Sequence, residues 1–507
     1  VLDSSENNCI IENTLSNNDN GLYLYDSAHN SIIENTITDN QDHGIMLGFS
    51  SKYNSISGNT ITNNWFGIAL YDASNHNSIT GNTIANNDAG IFLDDSCNNN
   101  SISENTITEN YEHGIVLDSS ENNTIAENII TDNKHGIFLF DASDCNTITG
   151  NIIANNGDGI VIISSKENTI SGNNITNNKE GIVLSGSLNT VIYHNNIIDN
   201  IVQAYDETPE DNHWHHPDLL EGNYWSDYPG VDDGSGAGKH AIAGDGIGDT
   251  YIPWPTDSYD FYPLMWPTIY TPSGTSVKST DPVTEVTVTF DEVTSGGTTR
   301  VTASDTGPDP PAGFEVNGQY YDITTTANYT GTITIAIPYD ETQVVGSERD
   351  LKLMHWNPKA EQWEDVTTWV DTENNIIYGE VESLSIFTVM EPVIEVTIDI
   401  KPGSYPNSIN LKSKGVVPVA VLTTDDFDAS TVDPVTVRFA NATPVRWTMK
   451  DVDGDGDLDL LLHFKTQELN LDENSTEATL TGNTYDGTPI QGTDTINIVP
   501  KGKGKGK

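Results

Sequence analysis

Residues 451–459 read DVDGDGDLD. Asp451, Asp453, Asp455 and Asp459 are spaced so that alternate carboxylates turn toward one point, and Asp457 adds a fifth. A hard cation such as calcium takes oxygen ligands in this manner, and a glycine, here Gly456, permits the sharp turn. Five carboxylates in nine residues repel one another without a counter-ion, so calcium is the expected cofactor, the alternative being a solvated acidic turn. An EF-hand would carry glutamate at its twelfth position, where this sequence has Leu462.

Other groups offer weaker chemistry. Asp232, Asp233, Asp245 and Asp249 punctuate a Gly-rich stretch and are a second calcium candidate, with Lys239 set among the acids; a capping loop is the alternative. His213, His215, His216 and Asp218 in NHWHHPD are either metal ligands or loop residues, and no Cys or Met stands nearby to favour copper. Asp72 and Asp95 recur at one position of a repeat, with Asp94 beside them, and paired carboxylates are what a glycoside hydrolase requires. Asp26 and Asp141 share that position, but so do Phe49, Ser119, Ser164 and Gly186, a looseness that suits turn residues. No catalytic residue is assigned.

Cys9, Cys97 and Cys145 fall in different repeats, too far apart for a disulfide, and are expected to be free, buried or half-buried thiols. Asn99, Asn122, Asn174, Asn328, Asn441 and Asn474 each begin an N-x-S/T sequon, which fits a secreted chain.

The elements that must position these groups follow from a repeat. VLDSSENN occurs at Val1 and again at Val116, and Gly21, Gly44, Gly67, Gly90, Gly114, Gly136, Gly159 and Gly181 recur every 22–24 residues. A constant period of this length marks a solenoid. Each repeat has three short apolar alternations, in one unit Ile91/Leu93, Ile102 and Ile107, separated by Asn, Ser, Asp and Gly. Three strands per turn describe an all-β right-handed parallel β-helix of about nine coils, stacked about 4.8 Å apart. Two asparagine columns support it: Asn30, Asn54, Asn77, Asn100, Asn123, Asn146, Asn168 and Asn189, and Asn35, Asn59, Asn82, Asn105, Asn128, Asn151, Asn173 and Asn195. Stacked amides of this kind hydrogen-bond along the axis. The coils are expected over 1–205, a cap with the Asp/Gly loop over 206–266, β-sandwich modules over 267–391 and 392–500, and a basic tail over 501–507.

The repeats resemble the NosD-type family of β-helix proteins, and NYWSDY, the Asp/Gly loop and YPLM resemble that family's usual ending. The resemblance implies the solenoid fold and, through the family's copper-binding name, the His213–His216 cluster as a metal candidate; the fold itself hosts many functions. The loop at Asp451 resembles short calcium loops of extracellular β-proteins, and both later modules resemble those of prokaryotic surface proteins.

Composition separates the functional classes. The net charge is −54, which opposes nucleic acid and anionic lipid as partners. Residues 1–267 hold no arginine, five lysines and 38 acidic residues, a poor endowment for chemistry on polyuronates, where a cation must neutralise the substrate carboxylate. The expected function is therefore a non-catalytic structural or adhesive protein of a prokaryotic cell envelope or filament, secreted or on the surface. Its expected partners are further copies of itself, docked head to tail on the uncovered first coil or in a lattice, or other envelope proteins, with glycans as further ligands. The alternative is a carbohydrate-binding or polysaccharide-active β-helix protein: a hydrolase, lyase or epimerase.

Overall fold

The computed structural model describes residues 1–208, 211–236, 240, 242–253, 259–311 and 313–499; Lys239 and the 501–507 tail lie outside them. The chain divides into two compact units, the first Val1–Glu285 with Phe290–Val301 and Thr324–Thr330, the second Val286–Thr289 with Thr302–Ile323 and Gly331–Lys507. Among the described residues the regular structure is strand, with a few short 3₁₀ turns. No helix among them is long and apolar enough to cross a membrane.

The first unit is built on the expected parallel β-helix. Its three sheets have ten, nine and ten strands, and all consecutive strands in each sheet lie a full coil apart in sequence. The first sheet runs from Leu2–Asp3 to Val202–Asp206, the second from Cys9–Ile11 to Val191–Tyr193, the third from Thr14–Ser16 to Tyr224–Trp225. Period-two alternation sends one isoleucine of each three-residue strand inward, and register stacks like on like: Ile79 pairs with Ile56 and Ile102, Ile84 with Ile61 and Ile107. These residues are wholly buried.

The glycine period has a steric cause. A Cβ on Gly67 would stand 2.5 Å from the carbonyl oxygen of Gly90 and 2.6 Å from Ile84 Cγ2. Only glycine allows successive coils to close at that corner.

Asparagines hold the other corners. Asn105 Nδ2 donates to Asn128 Oδ1, Ile79 O and Ser103 O, each at 2.9 Å, while its Oδ1 accepts from the N–H and Nδ2 of Asn82. One such chain runs from Asn13 to Asn223. A third column, not singled out in the sequence, runs Asn18, Asn40, Asn64, Asn87, Asn110, Asn133, Asn156, Asn178, Asn200. A parallel row of inward serines, Ser27, Ser51, Ser74, Ser120, Ser143, Ser165 and Ser187, is fully or almost fully buried.

Two expectations need correction. Asn189 does not continue the first asparagine column: it is exposed in a left-handed turn at φ 56°, and Thr190 takes the buried position. The stack registers on Ser187 beneath Ser165, which shifts the alignment by one residue; Asn168 Nδ2, like Asn123 Nδ2, has no acceptor. The cysteines are free, but only Cys97 is buried. Cys97 occupies the inward serine row, its N–H donating to Ser120 Oγ. Cys145 lies at an outward left-handed turn, φ 57°, with its thiol 3.7 Å from Glu167 Oε2, and Cys9 is on the outer side of its strand.

The far end of the solenoid is closed by the aromatic segment. Trp214 and Trp225 are buried over the last coils. Three acceptors terminate the amide columns: Gln203 Oε1 takes Asn200 Nδ2, Asp206 takes Asn212 Nδ2 and Trp214 Nε1, and Asp260 takes the N–H of Asn223 and Trp225 Nε1. Complete burial pushes the Asp260 carboxyl up to about 7, against the opposing pull of these N–H donors.

In the second unit Ile386–Pro392 pairs antiparallel with Phe314–Thr325 on one side and Lys352–Asn357 on the other, and Ile376–Val381 pairs with Asn328–Pro338 and Thr367–Asp371. The C-terminal part is a pair of four-stranded sheets, one ordered Ile394–Glu395, Pro489–Thr495, Glu477–Thr484, Val432–Phe439, the other Ile398–Ile400, Val416–Val421, Asp459–Lys465, Pro444–Lys450. Their core contains Ile400, Val419, Val437, Phe439, Leu462 and Phe464.

Candidate functional site

The outward side of the first sheet is unlike the rest of the solenoid. Most strands there are longer, so each coil adds outward residues to rows that run along the axis, successive members of a row lying about 4.8 Å apart. One row carries His43, Phe66, Ala89, His113, His135 and Asp158 in register; the next carries Tyr23, Met46, Ala69, Phe92, Val116 and Phe138. The rings meet across coils. Phe66 lies 4.8 Å from Phe92, Tyr71 5.8 Å from Phe92, and Trp65 4.9 Å from Phe66. Farther along, Phe138 lies 5.1 Å from His113 and 5.3 Å from Phe140. Trp65 remains 52% exposed.

Carboxylates border this tract. Asp118 follows Asp94 by one coil at the end of the strand, where Leu93 and Leu117 are paired. Burial raises the Asp94 carboxyl, and Asp118 raises it further; burial raises Asp118, with smaller pushes from Asp141 and Asp95. Ser119 Oγ donates to Asp118 Oδ1. Burial, then Asp94, raises the Tyr71 phenol. Burial, then the neighbouring His135, lowers His113 to about 4, so His113 is neutral near pH 7. His135 Nδ1 stands 2.8 Å from Asp158 Oδ2. Lys134 pairs with Glu112. Rings of this kind offer faces to apolar C–H groups, and carboxylates accept from hydroxyls. Two carboxyls of raised pKa one coil apart can also exchange a proton with a bound ligand.

Sequence reading missed this tract, since its residues are 22–24 positions apart and differ in type. The signal available was the outward letters in GIALY, GIFLD, GIVLD and GIFLF. The column it weighed instead is turn chemistry throughout. Asp26, Phe49, Asp72, Asp95, Ser119, Asp141, Ser164 and Gly186 all have φ between 45° and 59°.

The acidic loop joins the strands Pro444–Lys450 and Asp459–Lys465 of one hairpin. It brings carboxylate oxygens of Asp451, Asp453 and Asp459 within 4.8 Å of one another, and leaves Asp455 and Asp457 outside that set. Gly454 and Gly456 turn the chain at φ 87° and 107°. Buried Asp459 accepts from the N–H groups of Thr423 and Val452, and Asp451 from that of Gly454. Partial burial, then Asp455, raises the Asp457 carboxyl. Oxygen-only donors with glycine turns fit calcium.

The other candidates do not converge. Asp232 accepts from the N–H groups of Gly244 and Gly246, and Asp249 from those of Asp233 and Ser235, so they brace their loop from within. Asp245 caps Ile247. His216 Nδ1 accepts from the N–H of Asp218 and of Leu219, His215 packs on Tyr262 at 5.0 Å, and the His213 and His215 rings are 6.4 Å apart. This donor set does not fit copper. Of the sequon asparagines, Asn99, Asn122, Asn328, Asn441 and Asn474 are exposed, whereas Asn174 is half-buried and accepts from Asn196 Nδ2 at 2.5 Å.

Family comparisons agree with the solenoid. Residues 95–230 match the model of the periplasmic copper-binding protein NosD, and residues 1–153 match that of the right-handed β-helix region. No curated protein matches the chain. Similar solved structures include the periplasmic alginate epimerase AlgG, 21% identical over 38% of this chain and 50% of that one, TM-score 0.34. Another is the A-module of the mannuronan C-5 epimerase AlgE6 of Azotobacter vinelandii, 18% identical over 39% and 59%, TM-score 0.32. A third is tailspike protein 2 of an Escherichia coli O157:H7 bacteriophage, 11% identical over 82% and 71%, TM-score 0.32. The chain spans about half the length of AlgG.

Proposed function

We propose that this chain is an extracellular adhesive protein of a prokaryotic envelope, whose solenoid holds a neutral glycan along the outward side of its first sheet. The observation that carries this reading is two clusters of rings on this side, His43, Trp65, Phe66, Tyr71 and Phe92, then His113, His135, Phe138 and Phe140, each spanning successive coils and bordered by acids. Sugar rings stack on aromatic faces, and carboxylates order their hydroxyls. The absence of arginine from residues 1–267 disfavours a polyanion there. Binding is expected for a neutral oligosaccharide drawn from a glycan array, and Trp65→Ala is expected to weaken it about tenfold, the equivalent of one lost stacking contact of about 1.4 kcal/mol. An array without a neutral ligand, or affinity unmoved by Trp65→Ala, overturns the reading.

A second reading rests on Asp94 and Asp118. Adjacent coils set their backbones about 4.8 Å apart, close to the roughly 5 Å carboxyl spacing of retaining glycosidases. Release of reducing ends from the bound glycan, abolished by Asp94→Asn with binding retained, would move the protein to the hydrolases.

The same proposal assigns calcium to Asp451, Asp453 and Asp459. A ligand that binds only the folded state at a hundred times its Kd stabilises by about 2.7 kcal/mol. EDTA is therefore expected to lower the melting temperature of the second unit, and Asp453→Ala to remove the calcium dependence. A melting curve indifferent to chelator refutes the assignment.

A further inference from the structure

A groove of about 920 Å³ in the second unit is lined by Arg349, Lys352, the strand Thr367–Asp371 and the turn that follows it, which carries Glu373. Trp369 stands beside its floor, 56% exposed, stacked on Tyr378 of the paired strand with ring centroids 5.1 Å apart and planes 17° from parallel. The two rings lie on the side of the sheet opposite buried Ile377, so their exposure serves no core. Two cations share this groove in a chain with 21 lysines and arginines against 75 acidic residues. Lys352 Nζ is 3.4 Å from Asp365 Oδ2, whereas the Arg349 guanidinium has no ion pair among the described residues. Asp371, also in the lining, is turned into its own loop: it accepts from the N–H groups of Glu373 and Asn374 and from Asn374 Nδ2. Those hydrogen bonds aim its carboxylate at the turn and lower its pKa.

We propose that this groove binds a sugar residue carrying a carboxylate, a hexuronate, with the pyranose ring on Trp369 and the carboxylate on Arg349. A flat, exposed indole takes the apolar face of a pyranose, and a guanidinium matches a carboxylate with two parallel hydrogen bonds. The volume suits a ligand of one or a few sugar units. Salt screens the chain's charges beyond about 8–10 Å, and within the groove Arg349 and Lys352 offset Asp371 and Glu373. This ligand differs in charge from the neutral glycan assigned to the solenoid, and the site does not depend on that assignment.

The test uses the full chain, short oligogalacturonates, and a neutral cello-oligosaccharide of equal length, read by calorimetry. Oligogalacturonate is expected to bind, more weakly as salt rises, with at least tenfold loss in Trp369→Ala and in Arg349→Ala. Trp65→Ala, on the solenoid, is expected to leave it unchanged, so failure of one site is told apart from failure of the other. Both second-unit residues are exposed, and unchanged melting would show the variants folded. No binding of oligogalacturonate, binding unmoved by both substitutions, or equal binding of the neutral oligosaccharide unmoved by Arg349→Ala, each overturns the proposal.

Discussion

Gly90→Val is expected to unfold the middle of the solenoid at temperatures where the native protein is intact. The added Cβ would stand 2.6 Å from the carbonyl oxygen of Gly114 and 2.8 Å from Ile107 Cγ2. The carbonyl is backbone, already committed to the coil stack, and Ile107 is wholly buried with no free space to retreat into. Overpacking against backbone costs about 3 kcal/mol or more, and a solenoid transmits a local fault to both neighbours because each coil is stable only against the next. A cost of roughly 3–4 kcal/mol corresponds to a fall of about 10 °C for a unit of this size. Calorimetry of the first unit's transition checks it. Gly81→Ala is the informative comparison: its Cβ would meet nothing within 4 Å, although its φ of +63° carries a smaller backbone penalty. If Gly81→Ala proves as damaging as Gly90→Val, close packing is not the reason for the glycine period.

The second large effect is expected from Asn105→Ala. That side chain has five polar partners at 2.9 Å: three acceptors share the two Nδ2 hydrogens and two donors reach Oδ1. Its removal strands the N–H of Asn82, takes a donor from the carbonyl of Ile79 and leaves Asn82 Nδ2 only Ile56 O and Thr80 O, in a corner closed to water, and each stranded buried group costs about 1–3 kcal/mol. A loss of about 4 kcal/mol is expected. Asn168→Ala should cost distinctly less, about 1–2 kcal/mol. Asn168 Oδ1 accepts from the N–H of Asn146, but its Nδ2 already lacks an acceptor, and Thr190 occupies the next buried position. Equal losses at the two positions would show that the columns act through packing, not through their amide chain.

These two cases mark how the sequence relates to the fold. A solenoid converts period in sequence into proximity in space, because residues one coil apart are neighbours along the axis. For that reason the inward isoleucines, the glycine corner and the column from Asn35 to Asn195 were legible letter by letter, as were the parallel sheets they imply. The Asn40–Asn200 column is equally periodic and was simply not picked out. Legibility failed where coils differ in length. Around Asn189 the sequence alone permits two registers, and burial of Ser187 beneath Ser165 selects the one that places Thr190 inside.

Function lies mostly outside that rule. The acidic loop was readable as a motif, since its spacing is local; which carboxylates meet was decided by the hairpin, whose second strand starts at Asp459 and sets it with Asp451 and Asp453. The ring tract and the Asp94–Asp118 pair keep the coil period but their columns vary in residue type, while the closure of the asparagine columns by Asp260 and the Trp369–Arg349 groove join residues with no shared period. The sequence by itself determined the solenoid, because repetition is the only information a stack of like coils requires. Only the tertiary structure decided the surfaces, because an outward side chain is held by neighbours that lie a coil away or on another strand, and no local pattern records which they are.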